Sequence, residues 1–388
     1  MKPVVNNSTF SGRVMTGRKS LLSQCLCLGL CSVFLLSGCQ PKPPSSELQL
    51  AESTTAVAQP LYNDLVVGLK EFHSSASSFC SAPSAGGLAG VQQQWHQSML
   101  NWQSASVVNF GPVTMDSMAW KFQFWPDKKN LIHRKVESEI RRGSQSEAGW
   151  TPASIGKVSV VSRGFGAAEY LLFDPEAKEK IAEPVRCEYL QVVIQDMQRN
   201  AERLSRWWQQ GEDRYPEELK ALADAVPATE ESYPQVSALL VSSLHTTLET
   251  AIRKLSMPLG KTDQHGNPYM SESWRSGYSL DNLRAVIAST RKLYEGGEGY
   301  GLDERLASVD EESRQLAEEI SIAYDEVDKI LASKPLENIS LKDAVVDPER
   351  REVLSSLLFG ISRIKNLFAG KVPDKLGIPL GFNSNDGD

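Results

Sequence analysis

LQVVIQDMQRNAERLSRWW, residues 190–208, places Leu190, Val193, Ile194, Met197, Ala201, Leu204 and Trp208 three or four positions apart, with polar residues between them. That spacing gathers the apolar side chains on one face of a helix and leaves the polar ones on the other. Upstream, Asp174-Pro175-Glu176 supplies a cap, a proline at the first helical position and an acid in the first turn, which together signal a helix start. The same period recurs downstream. Leu240, Leu244, Leu248, Ala251 and Leu255 form a stripe closed by Pro258. Leu316, Ile320, Ala323, Val327 and Ile330 form another, with acids opposite. Val353, Leu357, Ile361 and Ile364 follow Asp347-Pro348 and stop at Gly370. Helical patterns also fit 60–79, 86–106 and 279–294, and Val158-Ser159-Val160-Val161 is the one strand-like scrap. The expectation is an all-α protein of two helical-bundle halves. Gly211, Pro216, Pro227 and Thr229 break the long helices, giving an N-terminal bundle over 59–212 and a C-terminal one over 213–388.

The beginning of the chain reads as an address. Arg13, Arg18 and Lys19 precede a short apolar run from Leu21 to Leu36, the pattern of a secretory signal. The run ends in Leu36-Ser37-Gly38-Cys39, which resembles a bacterial lipobox. The expectation is that residues 1–38 are a lipoprotein signal peptide and that Cys39 carries the lipid, joining the protein to a membrane; the other reading is an uncleaved membrane anchor, which would not need small residues just before a Cys. Gln40 in place of Asp favours the outer over the inner membrane, with the protein facing the periplasm. Residues 39–58, rich in Pro and Ser, read as a flexible tether. The whole chain carries 41 Lys and Arg against 48 Asp and Glu. Losing residues 1–38 removes four cations and no acids, which takes the net charge from -7 to about -11. So acidic a chain is a poor partner for nucleic acid. Cys25, Cys27 and Cys31 leave with the signal, and Cys80 and Cys187 remain as thiols. In an oxidising compartment they either pair or stay as two buried free cysteines.

The segment Arg163-Gly164-Phe165-Gly166-Ala167-Ala168-Glu169-Tyr170-Leu171-Leu172-Phe173 sets a carboxylate inside an apolar run. A buried carboxylate must pair, bind a metal or hold a proton. Gly164 and Gly166 leave room for a close approach by backbone or ligand. Either Glu169 serves a site, or it is structural, bonded to an Arg or to backbone. Trp274 and Arg275 end a long irregular stretch, 257–278, just before Ser279, expected to cap the next helix. The planar guanidinium of Arg275 suits a carboxylate, and Glu169 across the bundle interface is the expected partner; the other reading is a surface Arg beside a core Trp. His73, His96, His133, His245 and His265 are scattered, and none forms a metal-binding pattern alone, although His133 and Glu137 lie four apart.

Gly164-Phe165-Gly166-Ala167-Ala168-Glu169, followed by Tyr170-Leu171-Leu172-Phe173, resembles the signature of the imelysin family, Gly-x-His-x-x-Glu before an apolar run. Three other blocks are similar to that family's periplasmic lipoprotein branch. Trp95 and Trp102 precede Phe110-Gly111-Pro112 and Phe124-Trp125-Pro126-Asp127. Glu272-Ser273-Trp274-Arg275-Ser276-Gly277-Tyr278-Ser279-Leu280 matches a second signature, and Leu376 to Asp388, with Asn383, Asp386 and Asp388, matches the C-terminus. The resemblance implies two helical halves with the signature near their interface, an exported protein linked to iron acquisition, and relatives classed as metallopeptidases. Gly164 and Glu169 match; the signature His is replaced by Gly166. Glu169 alone is a feeble ligand for iron, zinc or calcium, and a zinc hydrolase needs three protein ligands and a polarised water.

Three functions are therefore expected, in order. The first is an envelope binding or accessory protein in iron or other metal acquisition, with Gly164, Gly166, Glu169, Trp274 and Arg275 at its ligand site and envelope proteins of metal uptake as partners. The second is a metal-dependent peptidase, with Glu169 as a metal ligand. The third is a scaffold that docks an envelope protein through surfaces such as Trp207-Trp208.

Overall fold

The computed structural model describes residues 44–146, 149–209, 211–224, 233–260 and 266–379. The signal, Cys39, His265 and the tail carrying Asn383, Asp386 and Asp388 lie outside the described residues. Among the described residues every regular element is helical and no strand occurs. Nine of these helices carry the architecture: α1 Ser46–Ser81, α2 Ala85–Ala105, α3 Leu131–Ser144, α4 Gly164–Phe173, α5 Pro184–Trp207, α6 Gln235–Leu259, α7 Ser279–Tyr294, α8 Glu311–Leu331 and α9 Pro348–Ala369.

The periods read from the sequence are the buried faces. Leu190, Val193, Ile194, Met197, Ala201 and Leu204 of α5 are enclosed, as are Leu240, Leu244, Leu248, Ala251 and Leu255 of α6. The elements depart from expectation in four places. Asp174-Pro175 opens a short helix, Pro175–Glu179, and α5 starts instead at Pro184, a proline tolerated at N1 because that N–H has no helical partner. Pro258 does not close α6, which runs to Leu259 before Gly260 turns at φ +69°. Val160–Ser162 is a 3-10 turn, not a strand. Ser279 is not a cap: it is the first residue of α7, after Tyr278, and its hydroxyl donates to the carbonyl of Glu272.

The tether expected over 39–58 is too long. Ser45 caps α1 by accepting from the amide of Leu48, 3.2 Å away, and Leu50, Ala51, Val57 and Ala58 are buried. Glu47 explains why this segment is held. Its Oε2 accepts from the amides of Val236 and Ser237 at the start of α6, 2.9 and 3.1 Å away. A carboxylate satisfies the free amides of a helix N-terminus and opposes the positive end of its dipole.

Two groups of helices pack together. α1 lies against α2 and α5, with α4 between α2 and α5; in the other group α6 and α8 pack on α9, and α7 on α6. Contacts of α2 with α7 and of α1 with α6 join the halves. The helix Tyr215–Asp224 touches both α1 and α6, so the break expected near 210–230 is a packed bridge in its described part. Cys80 and Cys187 form a disulfide, Cα to Cα 5.6 Å, which ties the end of α1 to the start of α5.

Candidate functional site

Helix α4 is placed by backbone contacts that only its sequence permits. Gly164, its first residue, has φ +73°, and a Cβ there would lie 2.4 Å from the carbonyl oxygen of Phe122. Glycine alone accepts both constraints. The indole N–H of Trp95 donates to the Phe165 carbonyl at 3.1 Å, and the Gln92 amide to the Leu172 carbonyl at 2.6 Å, pinning α4 to α2. Arg163, buried just before α4, pairs with Asp196 of α5 at 3.3 Å.

Glu169 faces inward from this helix and is 4% exposed. Its Oε1 accepts from the amides of Arg275 and Ser276 at 3.0 and 2.9 Å. The Ser276 hydroxyl is also 2.9 Å away and shares its single proton with the Ser273 carbonyl at 3.0 Å. The loop can aim consecutive amides because Ser273 and Gly277 take positive φ, +49° and +82°. Burial pushes the Glu169 carboxyl above its ordinary range, while the positive charge of Arg275 and the Ser276 and Arg275 bonds pull against it.

The expected pairing of Arg275 with Glu169 is made through the Arg275 backbone, and the guanidinium goes elsewhere. Its Nε lies 3.3 Å from Asp174 Oδ2, its Nη2 bonds Asn130 and is 3.9 Å from Asp127 Oδ2, and the side chain is 1% exposed. The guanidinium also stacks 4.3 Å from the Trp274 ring centroid and 5.5 Å from that of Tyr170. Two carboxylates and two aromatic faces hold the cation there, so Glu169 is left to the amides. Trp274 is accordingly a platform for Arg275, and its other contact is edge-on to Tyr269.

Gly166 lies one turn before Glu169. A Cβ at this position would meet Cδ1 of Ile132 at 2.8 Å, so Ile132 of α3 has taken the room a larger side chain would need. Glu169, Gly166, Asp127, Ser271, Glu272 and Arg275 line a cavity of about 20 Å³, enough for roughly one water. Asp127 Oδ2 and Ser271 Oγ are buried here without a hydrogen bond. No imidazole lines it. Among the described residues no group of three or more His, Cys, Asp or Glu could hold a metal ion. With one oxygen of Glu169 taken by three donors, the residues present do not fit a three-ligand metal centre.

The histidines are engaged elsewhere. His133 stacks on Tyr170, and Glu137, four residues on, is taken by Tyr170 at 2.7 Å and by both Nη atoms of Arg186 at 2.8 and 2.9 Å. His96 stacks on Tyr278 with centroids 3.5 Å apart, and His73 bonds Gln195 at 2.9 Å. His245 is half-buried beside Lys365 and Glu249.

A second cluster escaped the sequence reading. Glu272, 2% exposed, pairs with Lys254 of α6 at 2.5 Å. Its Oε1 also accepts from Gln123 at 2.6 Å and Gln103 at 3.2 Å, and its Oε2 from Asn282 at 3.1 Å. Lys254 donates to Gln103 Oε1 at 2.9 Å. This network gathers α2, α6, α7 and the 272–278 loop. The one signal was Lys254 beside Leu255 on an apolar stripe, a cation that needed a buried partner.

The family model for imelysin matches residues 58–366, and the chain belongs to the imelysin family. A solved imelysin-like protein from Psychrobacter arcticum 273-4 shares the fold with a TM-score of 0.67 and 20% identity, covering 87% of this chain and 98% of its own. A second solved structure, from Parabacteroides distasonis ATCC 8503 and named as an iron-regulated protein A precursor, matches with a TM-score of 0.60 and 20% identity over 85% of this chain and 97% of its own. Comparison with curated proteins finds no match.

Proposed function

We propose that this imelysin-family chain is an exported lipoprotein acting as an accessory protein in iron or other metal acquisition, without peptidase chemistry at its signature. The observation that carries this reading is the state of Glu169: one oxygen is engaged by the amides of Arg275 and Ser276 and the Ser276 hydroxyl, and Ile132 stands where the family's imidazole would project from position 166. A carboxylate used in this way joins the two signature blocks. Gly164 and Gly166 permit the join, and Trp274 and Arg275 complete the wall of the cleft. The link to metal acquisition rests on the family and on the name of the Parabacteroides structure. Export to the envelope, with lipid on Cys39 and the outer membrane as destination, rests on the lipobox. The Cys80–Cys187 disulfide accords with an oxidising compartment, and among the described residues no helix is long and apolar enough to cross a membrane.

The test is metal content and affinity of the chain from Pro44 onward, which keeps the Ser45 cap and the Glu47 contacts, beside Glu169→Ala. Elemental analysis and calorimetry with iron, zinc and calcium should find no stoichiometric metal that depends on Glu169. Metal bound one-to-one by the wild type and lost in the variant would overturn the reading and restore the peptidase.

A further inference from the structure

The charge of this chain is unevenly placed. Residues 118–142 hold seven Lys and Arg and three acids, a local net of +4 in a chain whose total is -7. The three acids are all used internally. Asp127 Oδ1 accepts from the Ile132 amide at 3.1 Å, Glu137 holds Arg186, and Glu139 holds Arg142 at 2.7 Å. The cations do the reverse. Lys128, Lys129, Arg134, Lys135 and Arg141 are exposed, and none of their side chains has a hydrogen bond or ion pair with another described residue. On α3 the buried residues Ile132, Val136, Ile140 and Gly143 define one side. At 100° per residue, Arg134 and Arg141 fall opposite them and Lys135 to one flank. Lys157 is also exposed, three residues before the 3-10 turn that packs on α3.

Beside these cations in sequence stand apolar side chains turned to solvent. Trp120 is 48% exposed and Met115 45%, both within the segment that leads into α3. Exposed cations and an exposed Trp carried by one stretch of chain are the chemistry of an anionic bilayer surface: cations for the phosphates, and an indole for the boundary between headgroup and acyl chain. A protein partner could also take an exposed Trp, but protein interfaces are depleted in Lys, and three of the five cations are Lys128, Lys129 and Lys135, which a phosphate surface takes as readily as Arg.

We infer that the exposed side of α3, Arg134, Lys135 and Arg141, together with Lys128, Lys129 and Trp120 of the segment leading into it, docks on an anionic phospholipid surface. The inference is independent of lipidation and of the family site. The experiment uses the chain from Pro44, which forms one compact unit and lacks the acylated residue, so that partitioning reports the face alone. Sedimentation with phosphatidylglycerol–phosphatidylcholine vesicles should carry the protein down at low salt, and pure phosphatidylcholine should not. Binding should weaken steeply as salt is raised. Arg134→Gln/Lys135→Gln/Arg141→Gln should cut partitioning about fivefold for each cation removed, on the order of a hundredfold together. Lys329→Gln/Lys334→Gln/Lys342→Gln makes the same charge change elsewhere and should leave it intact, while Trp120→Ala should weaken it further at fixed charge. Equal binding to both vesicle types, or a triple variant that sediments like the wild type, overturns the inference. So does capture by an acidic protein without vesicle binding, which would make the face a protein-docking surface.

Discussion

The Oε1 atom of Glu169 lies 2.9 Å from both the amide and the hydroxyl of Ser276, a residue 107 positions further along the chain. One signature block therefore closes on the other through a single carboxylate oxygen. Removing it as Glu169→Ala leaves two part-buried amides without their acceptor, and the expected loss is about 2–4 kcal/mol of stability. Urea unfolding checks the value; a loss below about 0.5 kcal/mol, the size of an ordinary surface substitution, would show that the contact does not hold the halves.

The same carboxylate should give a pH signature. Its folded value is raised above the ordinary 4.5, by burial first, so folding takes up a proton between the two values. The part of the Glu169 contribution that comes from this raised proton affinity is fully present below about pH 4.5 and is lost as pH rises through the folded value. Glu169→Gln cannot ionise. The stability difference, wild type minus Gln, should be largest below 4.5 and shrink with rising pH. Growth of that difference toward neutral pH would contradict the direction given for Glu169.

Restoring the family residue is a third test. Gly166→His places a Cβ 2.8 Å from Ile132 Cδ1 and should cost about 1–3 kcal/mol by overpacking. Ile132→Ala in the same chain should relieve part of that cost and open room for the imidazole beside Glu169. With Asp127, whose Oδ2 is buried in the same cavity without a hydrogen bond, as the third ligand beside Glu169 and the introduced imidazole, calorimetry should then detect zinc binding in the double variant and not in the wild type. A double variant that folds yet binds no more zinc than the wild type would mean that Glu169 cannot leave the amides of Arg275 and Ser276.

The disulfide spans 107 residues between Cys80 and Cys187. Closing a loop of that length should stabilise by about 2–5 kcal/mol. Cys80→Ser/Cys187→Ser, and the reduced wild type, should unfold at lower denaturant by matching amounts, and unequal shifts would point to serine packing and not to the cross-link.

Much of the helical frame was legible because burial imposes a period: the stripes of α5, α6, α8 and α9 are the faces the structure encloses. Glu169 was legible for a similar reason, since a carboxylate amid Phe165, Ala167, Ala168 and Leu171 must have a partner. The partner itself was not. Backbone amides carry no sequence mark, and the turn that aims them depends on Ser273 and Gly277 adopting positive φ. The fate of the Arg275 guanidinium depended on Asp174 and Asn130, more than a hundred positions upstream. Helix ends failed for local reasons. Ser46 to Ala58 looked like a tether because its Ser and Thr suggest solvent, yet Ser53, Thr54 and Thr55 are buried, with Ser53 donating to the Tyr300 carbonyl at 2.6 Å.

The Lys254–Glu272 pair offers the last test, because its geometry separates a structural network from a charge that is dispensable. Both side chains are largely enclosed, 14% and 3% exposed, so neither can turn to water when its partner is lost. Lys254→Met leaves Glu272 with only amide donors from Gln103, Gln123 and Asn282, and an uncompensated buried carboxylate should cost about 3–5 kcal/mol. Glu272→Gln leaves a buried ammonium facing only neutral oxygens, Gln103 Oε1 and the amide oxygen introduced at 272, and should cost a similar amount. Combined, the two changes remove both charges, while the amide introduced at position 272 still offers an oxygen to the surrounding donors. The double variant should therefore lose less than the sum of the singles, with a coupling of about 1–3 kcal/mol in a urea-unfolding cycle. Additive losses would mean that the 2.5 Å contact contributes nothing beyond its separate hydrogen bonds.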